Sequence, residues 1–302
     1  MSIVITARNA GDHIEAAIRS LLEQTYEDFE LLVVDDHSTD DTAQVVCRLA
    51  AEDSRIVCLS SPEPGRIPAL NAAIAAARGC YLAIMDADDL ADPHRLAMQV
   101  SYLDQHPNVV AVGSALSFIG PTEVLPISLA GRKISVKPER PRSSLGGWKM
   151  SVALVHATVM MRLSSVIAAG AYRPALIYQE DNDLFLRLEE LGEIRNLPNV
   201  LHHYRQHANN TSRRHVIAQC AASRLALALA QRRRRGKRDF AYIHGRAAVW
   251  ALLVLHSPAT ALGLVVEVAI EVVRRIRKRR SVLGMLRDRG QLKMPLHGQR
   301  LA

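Results

Sequence analysis

The residues of this chain best suited to chemistry are carboxylates gathered where apolar runs end. Asp86-Ala87-Asp88-Asp89 follows the run Tyr81–Met85. Carboxylates spaced i and i+2 at a strand end can both turn toward one cation as the chain leaves the sheet. Hard oxygen ligands suit Mg²⁺ or Mn²⁺, ions that recruit substrate phosphates to complete their shells. Acidic residues before a helix also serve as caps, and Asp89 and Asp92 are placed for that duty. Asp35-Asp36 ends a second apolar run, Phe29–Val34. Ser38 or Asp40 can cap the helix that follows, which leaves Asp35 and Asp36 to accept from a base N–H or a ribose hydroxyl. Glu180-Asp181-Asn182-Asp183 opens a third segment. Acids in a first helical turn complement the helix dipole; one of them could instead act as a general base.

These groups need elements to hold them. Ser2–Thr6, Phe29–Val34, Arg55–Leu59, Tyr81–Met85 and Val109–Gly113 read as buried strands. Between them, Asp12–Gln24, Asp40–Ala51, Ile67–Ala77 and Pro93–Gln105 carry helical spacing. Strand–helix alternation with near-continuous apolar strands predicts a parallel sheet covered on both faces. Ligands then sit beyond the carboxyl ends of the strands, where Thr6–Asn9, Asp35-Asp36 and Asp86–Asp89 fall. Farther on, Val152–Arg162 reads as a strand, Glu180–Leu191 as an amphipathic helix and Leu197–Tyr204 as extended chain. In residues 114–150, glycines, prolines and a basic stretch near Arg132–Arg142 read as loops or a hairpin.

With 302 residues, 49% hydrophobic and 23% charged, the composition is globular. Four scattered cysteines without a CxxC pair argue against a disulfide framework or a zinc site and fit a reducing compartment. The start, Met-Ser-Ile-Val-Ile-Thr, lacks the basic and apolar regions of a cleaved signal peptide, so none is expected. Charge is unevenly placed. Residues 1–200 carry 17 Lys and Arg against 26 Asp and Glu, a net of −9. Residues 201–302 carry 21 against 4, a net of +17. An acidic body is joined to a basic tail.

Taken together, the motifs resemble those of the family-2 glycosyltransferases, which use nucleotide sugars on a GT-A fold. The resemblance is carried by Ile3–Asn9, Ser20–Tyr26, Phe29–Thr42, Asn71 with Ala77-Arg78-Gly79, and Met85–Asp89. It continues through His156, Met160-Met161-Arg162, Glu180–Leu184 and Tyr204-Arg205-Gln206-His207, covering roughly residues 2–210. It implies an α/β fold: a Rossmann-like GT-A sheet with helices on both faces. Beyond it, helical spacing from Asn209 to about Arg280 reads as a helical basic extension over 211–302. Within the catalytic domain, 1–113 would be the nucleotide-binding half and 114–210 the acceptor side.

The resemblance also assigns roles. Thr6, Ala7, Arg8, Asn9 and Asp36 would surround the base and ribose, with Asn71 also on the donor side. Asp86, Ala87 and Asp88 match the DXD motif, whose carboxylates hold Mg²⁺ or Mn²⁺ at the donor diphosphate. Arg66 is a candidate diphosphate contact. Asp181 matches the catalytic base. His207 is a candidate extra phosphate or metal contact, a satisfied structural histidine being the other reading. The implied reaction is an inverting transfer of one sugar from a UDP-linked donor to an acceptor hydroxyl on a carbohydrate or lipid-linked saccharide. Two departures stand out: Arg8 replaces the family's usual aromatic residue, and Ala157 follows His156 where the family often has proline. The chain lacks the Gln/Arg-x-x-Arg-Trp segment of processive synthases, so single-sugar transfer is expected.

In the tail, Ser257-Pro258 interrupts the apolar stretch 247–266, which favours two helices over one membrane span. The second has an apolar side with Leu262, Val265, Val266, Ala269, Val273 and Ile276, and ends in the cationic run Arg274–Arg280. This predicts docking on the anionic cytoplasmic face of a membrane, with Arg232–Arg235 adding to the same surface. The bland reading is a helical hairpin packed on the catalytic domain. A nucleic-acid-binding or scaffolding protein would also explain the tail, but the acidic groove would repel nucleic acid. A related nucleotidyltransferase is the remaining alternative.

Overall fold

A computed structural model describes residues 1–120, 154–206, 216–237 and 239 of the protein. Apolar pentads and hexads form β1 (Ser2–Ala7), β2 (Glu30–Asp35), β3 (Ile56–Ser60) and β4 (Tyr81–Asp86). They alternate with α1 (Gly11–Leu22), α2 (Thr42–Glu52) and α3 (Arg66–Ala76). A two-residue β5 (Leu90–Ala91), α4 (Arg95–Gln105) and β6 (Val109–Ile119) follow. After residue 153 come β7 (Met160–Arg162), α5 (Leu163–Ala168), α6 (Glu180–Leu188), β8 (Glu193–Arg205) and α7 (Val216–Arg234).

The eight strands form one sheet in the order β3-β2-β1-β4-β7-β6-β8-β5. Strands β1 to β4 are parallel, as expected. The rest corrects the expectation of an all-parallel sheet: β7 runs antiparallel between β4 and β6, and β5 runs antiparallel to β8. Among the described residues of the segment read as a strand from 152 to 162, the strand is Met160–Arg162, and a 3-10 turn at His156–Thr158 precedes it.

Alternation along the strands splits the core into two layers. Ile3, Ile5, Leu31, Val33, Ala83 and Met85 pack against α1, α2 and α4. Val4, Leu32, Val34, Leu82 and Ile84 face the side of α3, α5 and α6. The order reverses at β1, which has β2 on one side and β4 on the other, so the carboxyl ends of these three strands frame a crevice. Register places Ala7 opposite Asp35 and Thr6 opposite Asp86.

Gly79 shows how closely the first strand is seated. A Cβ there would lie 2.4 Å from Met1 Cα and 2.5 Å from Ser2 N. Gly79→Ala is expected to cost about 1–3 kcal/mol, read as a lower urea midpoint with unchanged slope. An unshifted midpoint would contradict this packing.

The tail reading changes where it can be tested. Leu225 and Leu229 of α7 pack with Leu186 of α6 and with Ala175 and Leu176. Arg233 pairs with Glu190 at 3.0 Å and Arg234 with Glu189 at 3.2 Å. Two of the four arginines read as membrane-facing are therefore turned onto α6. The stretch 247–280 lies outside the described residues. Among the described residues, no helix is long and apolar enough to cross a membrane.

Candidate active site

The loops leaving β1 and β2 brace each other. Asn9, in a left-handed conformation at φ 52°, accepts from Thr39 N at 2.8 Å, and its own N–H donates to Ser38 Oγ at 3.0 Å. Asp40, expected as a cap, accepts from Thr42 N at 3.1 Å and Gly11 N at 3.0 Å. Asp36 is buried; Oδ1 accepts from Gly65 N at 2.6 Å, and Oδ2 lies 3.8 Å from the exposed guanidinium of Arg8. Asp35 Oδ2 accepts from Ser38 N, while its buried Oδ1 has no hydrogen-bond partner. Asp35 lines a cavity of about 100 Å³, a size that suits water, not a base ring.

One oxygen from each of Asp86, Asp88 and Asp89 lies within 4.8 Å of the others. Asp89, read from sequence as a cap, is no cap. It is fully buried, takes His202 Nε2 at 2.8 Å and Arg205 N at 2.7 Å, and so fastens β8 to the end of β4. Burial and the two neighbouring carboxylates push Asp89 upward. Arg95 Nη1, 3.4 Å from His202 Nδ1, makes that nitrogen the acceptor, so Nε2 donates, both Asp89 oxygens accept and the carboxylate is favoured beside a neutral His202. Burial, then Arg95, hold His202 well below the usual histidine range. With Asp89 so engaged, Asp86 and Asp88 are the pair that fits a divalent cation. Asp92, also read as a cap, accepts from His94 N at 2.9 Å, one residue ahead of α4, whose start has no side-chain cap.

Arg66 is the hub of the site. Its Nη2 donates to Asp86 Oδ1 at 2.6 Å and to His156 Nδ1 at 3.1 Å, and its Nε lies 3.5 Å from Glu180 Oε1. Since His156 Nδ1 accepts, the network assigns the proton to Nε2, which donates to Tyr172 Oη at 2.7 Å. Burial, then Arg66, push His156 down to about 3, so this neutral form holds at pH 7. Burial raises Asp86, but its polar neighbours, Arg66 first among them, together bring the net direction down. Glu180 was missed from sequence as a partner of Arg66; its Oε2 is buried without a hydrogen-bond partner. Its place beside three other polar residues at a helix start gave no signal for this.

Asp181 is half-buried on the first turn of α6, and its Oδ1 accepts from Asn182 N at 2.7 Å. Burial first, then Glu180, push it up to about 7. Asn71 spends its amide on structure, donating to Tyr172 O at 2.8 Å and accepting from Tyr172 N at 3.0 Å. Asn71→Ala is expected to cost about 1–3 kcal/mol through the backbone groups left unpaired, measured by urea unfolding; a cost near zero would contradict it. His207 lies outside the described residues. A hollow of about 500 Å³ is lined by His94, Met98, Tyr102 and Leu197 among others and by none of these carboxylates. The chemistry, not the volume, marks the site.

The fold is similar to that of a mannosyltransferase from Pyrobaculum calidifontis solved with GDP-Man and Mn²⁺. The TM-score is 0.55 at 20% identity, covering 94% of this chain and 80% of that one. Over 105 residues the chain is 36% identical to the UDP-Glc:alpha-D-GlcNAc-diphosphoundecaprenol beta-1,3-glucosyltransferase of Escherichia coli, 34% of this chain and 41% of that protein. Over 220 residues it is 30% identical to an uncharacterized glycosyltransferase of Haemophilus influenzae, 70% of this chain and 67% of that protein. The model of glycosyl transferase family 2 matches residues 2–164, more than half of the sequence, and the chain belongs to that family.

Proposed function

We propose that the protein transfers a single sugar, with inversion, from a UDP-linked donor to an acceptor hydroxyl on a lipid-linked or polysaccharide intermediate. The observation that carries this reading is Arg66, which ties Asp86 to Glu180 and so sets the strand-end carboxylates beside the turn bearing Asp181. Thr6, Ala7, Arg8, Asn9 and Asp36 would receive the nucleoside, with Arg8 stacking on the base. Asn71 would act from behind by fixing Tyr172. Residues 1–210 would form the catalytic unit and 211–302 the basic extension, held at an anionic membrane surface on the cytoplasmic side.

Asp86 and Asp88 would hold Mg²⁺ or Mn²⁺, with Ala87 between them and His207 as a further candidate contact. When bound, that ion neutralises charge developing on the leaving diphosphate. Arg66 adds a permanent positive charge beside Asp86. Asp181, ionised in part at pH 7, takes the proton of the acceptor hydroxyl as its oxygen bonds to C1. The bond from C1 to the diphosphate oxygen breaks on the opposite face, and its electron pair leaves with the nucleoside diphosphate. A carboxylate base and one displacement suffice; no sugar–enzyme bond is required.

The test is a panel of UDP-, GDP- and dTDP-sugars incubated with protein and Mn²⁺ or Mg²⁺, following nucleoside diphosphate release. Release from a UDP-sugar that stops with chelator is expected. Folded protein that binds no donor would overturn the reading. The Escherichia coli relative named for a diphosphoundecaprenol substrate supports including lipid-linked acceptors in the panel.

A further inference from the structure

The turn that carries Asp181 is tied from within by a single side-chain pair across its start, Asn182 Nδ2 donating to Gln179 Oε1 at 2.6 Å. Gln179, at its start, makes no side-chain cap, and Glu180, Asp181 and Asp183 crowd like charge into one turn. Tyr178, just before it, sits at φ 72°. Beside the apolar packing of α6, the turn rests on a largely buried chain of alternating charges that sugar transfer itself does not use. Asp183 is fully buried and receives Arg173 through Nη2 and through Nε at 2.8 Å. It also receives Arg187, through Nε at 3.1 Å and Nη2 at 2.8 Å. Arg187 spends its other donors on the carbonyls of Ala169 and Ala171. Arg173 Nη1 reaches Asp239 at 2.6 Å, and Asp239 also takes Arg233 Nη1, from the end of α7, at 2.5 Å. Arg233 Nε then meets Glu190 beyond α6 at 3.0 Å.

The chain has two points of contact with the chemistry. Asp183 lies two residues from Asp181. Arg173 directly follows Tyr172, whose hydroxyl takes His156 and whose backbone Asn71 holds. Buried ion networks add little to stability over apolar packing of the same shape, but they do fix geometry. Geometry is what a general base needs, since a displacement near 1 Å can cost about 10²-fold in rate.

We propose that Arg173 and Asp239 are positioning residues: the C-terminal arm, through Asp239, clamps Arg173 onto Asp183 and so fixes the turn from which Asp181 acts. The proposal rests on the assignment of Asp181 as base. The arm is then part of the catalytic unit and more than a membrane tether.

The test is Asp239→Asn in the full chain, with Arg234→Gln, on the exposed part of the same seam, as control. Wild-type turnover with the donor found above is measured first; its absence would sink the transferase reading and this proposal with it, whereas a failure confined to Asp239→Asn bears on this proposal alone. In Asp239→Asn, kcat is expected to fall about tenfold or more. The Kd for UDP with Mn²⁺, by calorimetry, should stay within about twofold. Amide hydrogen exchange should quicken at residues 182–186 and stay unchanged in β1, β2 and β4. Arg234→Gln should keep kcat within about twofold. A merely structural role predicts a lower Tm with kcat per folded molecule intact, and that result would overturn the proposal. So would a parallel loss of UDP affinity, which would mean general loosening. Should Asp239→Asn fail to fold, Arg233→Gln removes the second clamp on Asp239; unchanged kcat and unchanged exchange over residues 182–186 in that variant would equally overturn it.

Discussion

Replacing Asp181 by asparagine should lower kcat by about 10²- to 10⁴-fold while donor binding survives. General-base catalysis contributes about that much, and the substitution keeps shape while removing the proton acceptor. The wild-type profile should carry the signature of the same group. Burial and Glu180 push Asp181 up to about 7, so the ionised base is scarce at pH 6 and nearly complete at pH 8. Rate should therefore climb about tenfold per pH unit below 7 and level off above it. Stability should move the opposite way. The folded protein binds this proton more tightly than the unfolded chain, so the contribution is present below the ordinary carboxylate range and is lost as pH rises through about 7. Asp181→Asn, which ionises nowhere, should unfold at a higher temperature than wild type at pH 8. A variant that keeps full turnover would remove Asp181 from the mechanism. A flat pH profile between 5.5 and 8 would show that its environment is not the one described.

Those strand-end carboxylates were legible because apolar strands and their polar ends are local. Leu31–Val34 alternate between the two core layers and deliver Asp35 and Asp36, and Leu82–Met85 deliver Asp86 in the same way. Four features were not local and stayed hidden. β7 is three residues long, too short for any period, and its place between β4 and β6 depends on partners about 50 to 80 positions away. Gly113 read as the end of a strand, yet β6 continues to Ile119. The glycine is there because a Cβ would meet Asn196 Oδ1 at 2.2 Å and Leu154 at 2.7 Å; it marks close approach, not a turn. Asp89 read as a helix cap because its partner His202 lies 113 residues on. Arg66 had a role only through the family resemblance, and its grip on Asp86, Glu180 and His156 exists only once four separate segments meet. A motif can thus be read from sequence while the cation that orients it cannot.

The three aspartates of the motif should separate cleanly under mutation, and Asp88→Asn should give the largest loss of metal response. Asp86 Oδ1 is already engaged by Arg66, and Asp89 by His202 and the Arg205 amide. Asp86 and Arg66 nearly cancel in charge, so deleting the charge of Asp88 removes much of what attracts a divalent ion to this corner of the sheet. Losing one such ligand and its charge is expected to lower kcat/KM by about 10²- to 10³-fold, on the scale of removing one preorganised electrostatic group. The Mn²⁺ concentration for half-maximal rate should rise, and excess Mn²⁺ should restore part of the activity. Asp89→Asn should behave otherwise. Its Oδ1 can still accept from Arg205 N, but its amide would face a His202 Nε2 that is itself a donor, with Arg95 held at the other ring nitrogen. The mismatch should cost about 1–3 kcal/mol of stability and leave the Mn²⁺ half-maximum near wild type. Equal Mn²⁺ responses in the two variants would mean that the third aspartate is a ligand and that the clasp on β8 opens when the ion binds. Undiminished Asp88→Asn turnover in chelator would instead leave Arg66 as the charge that carries the leaving group.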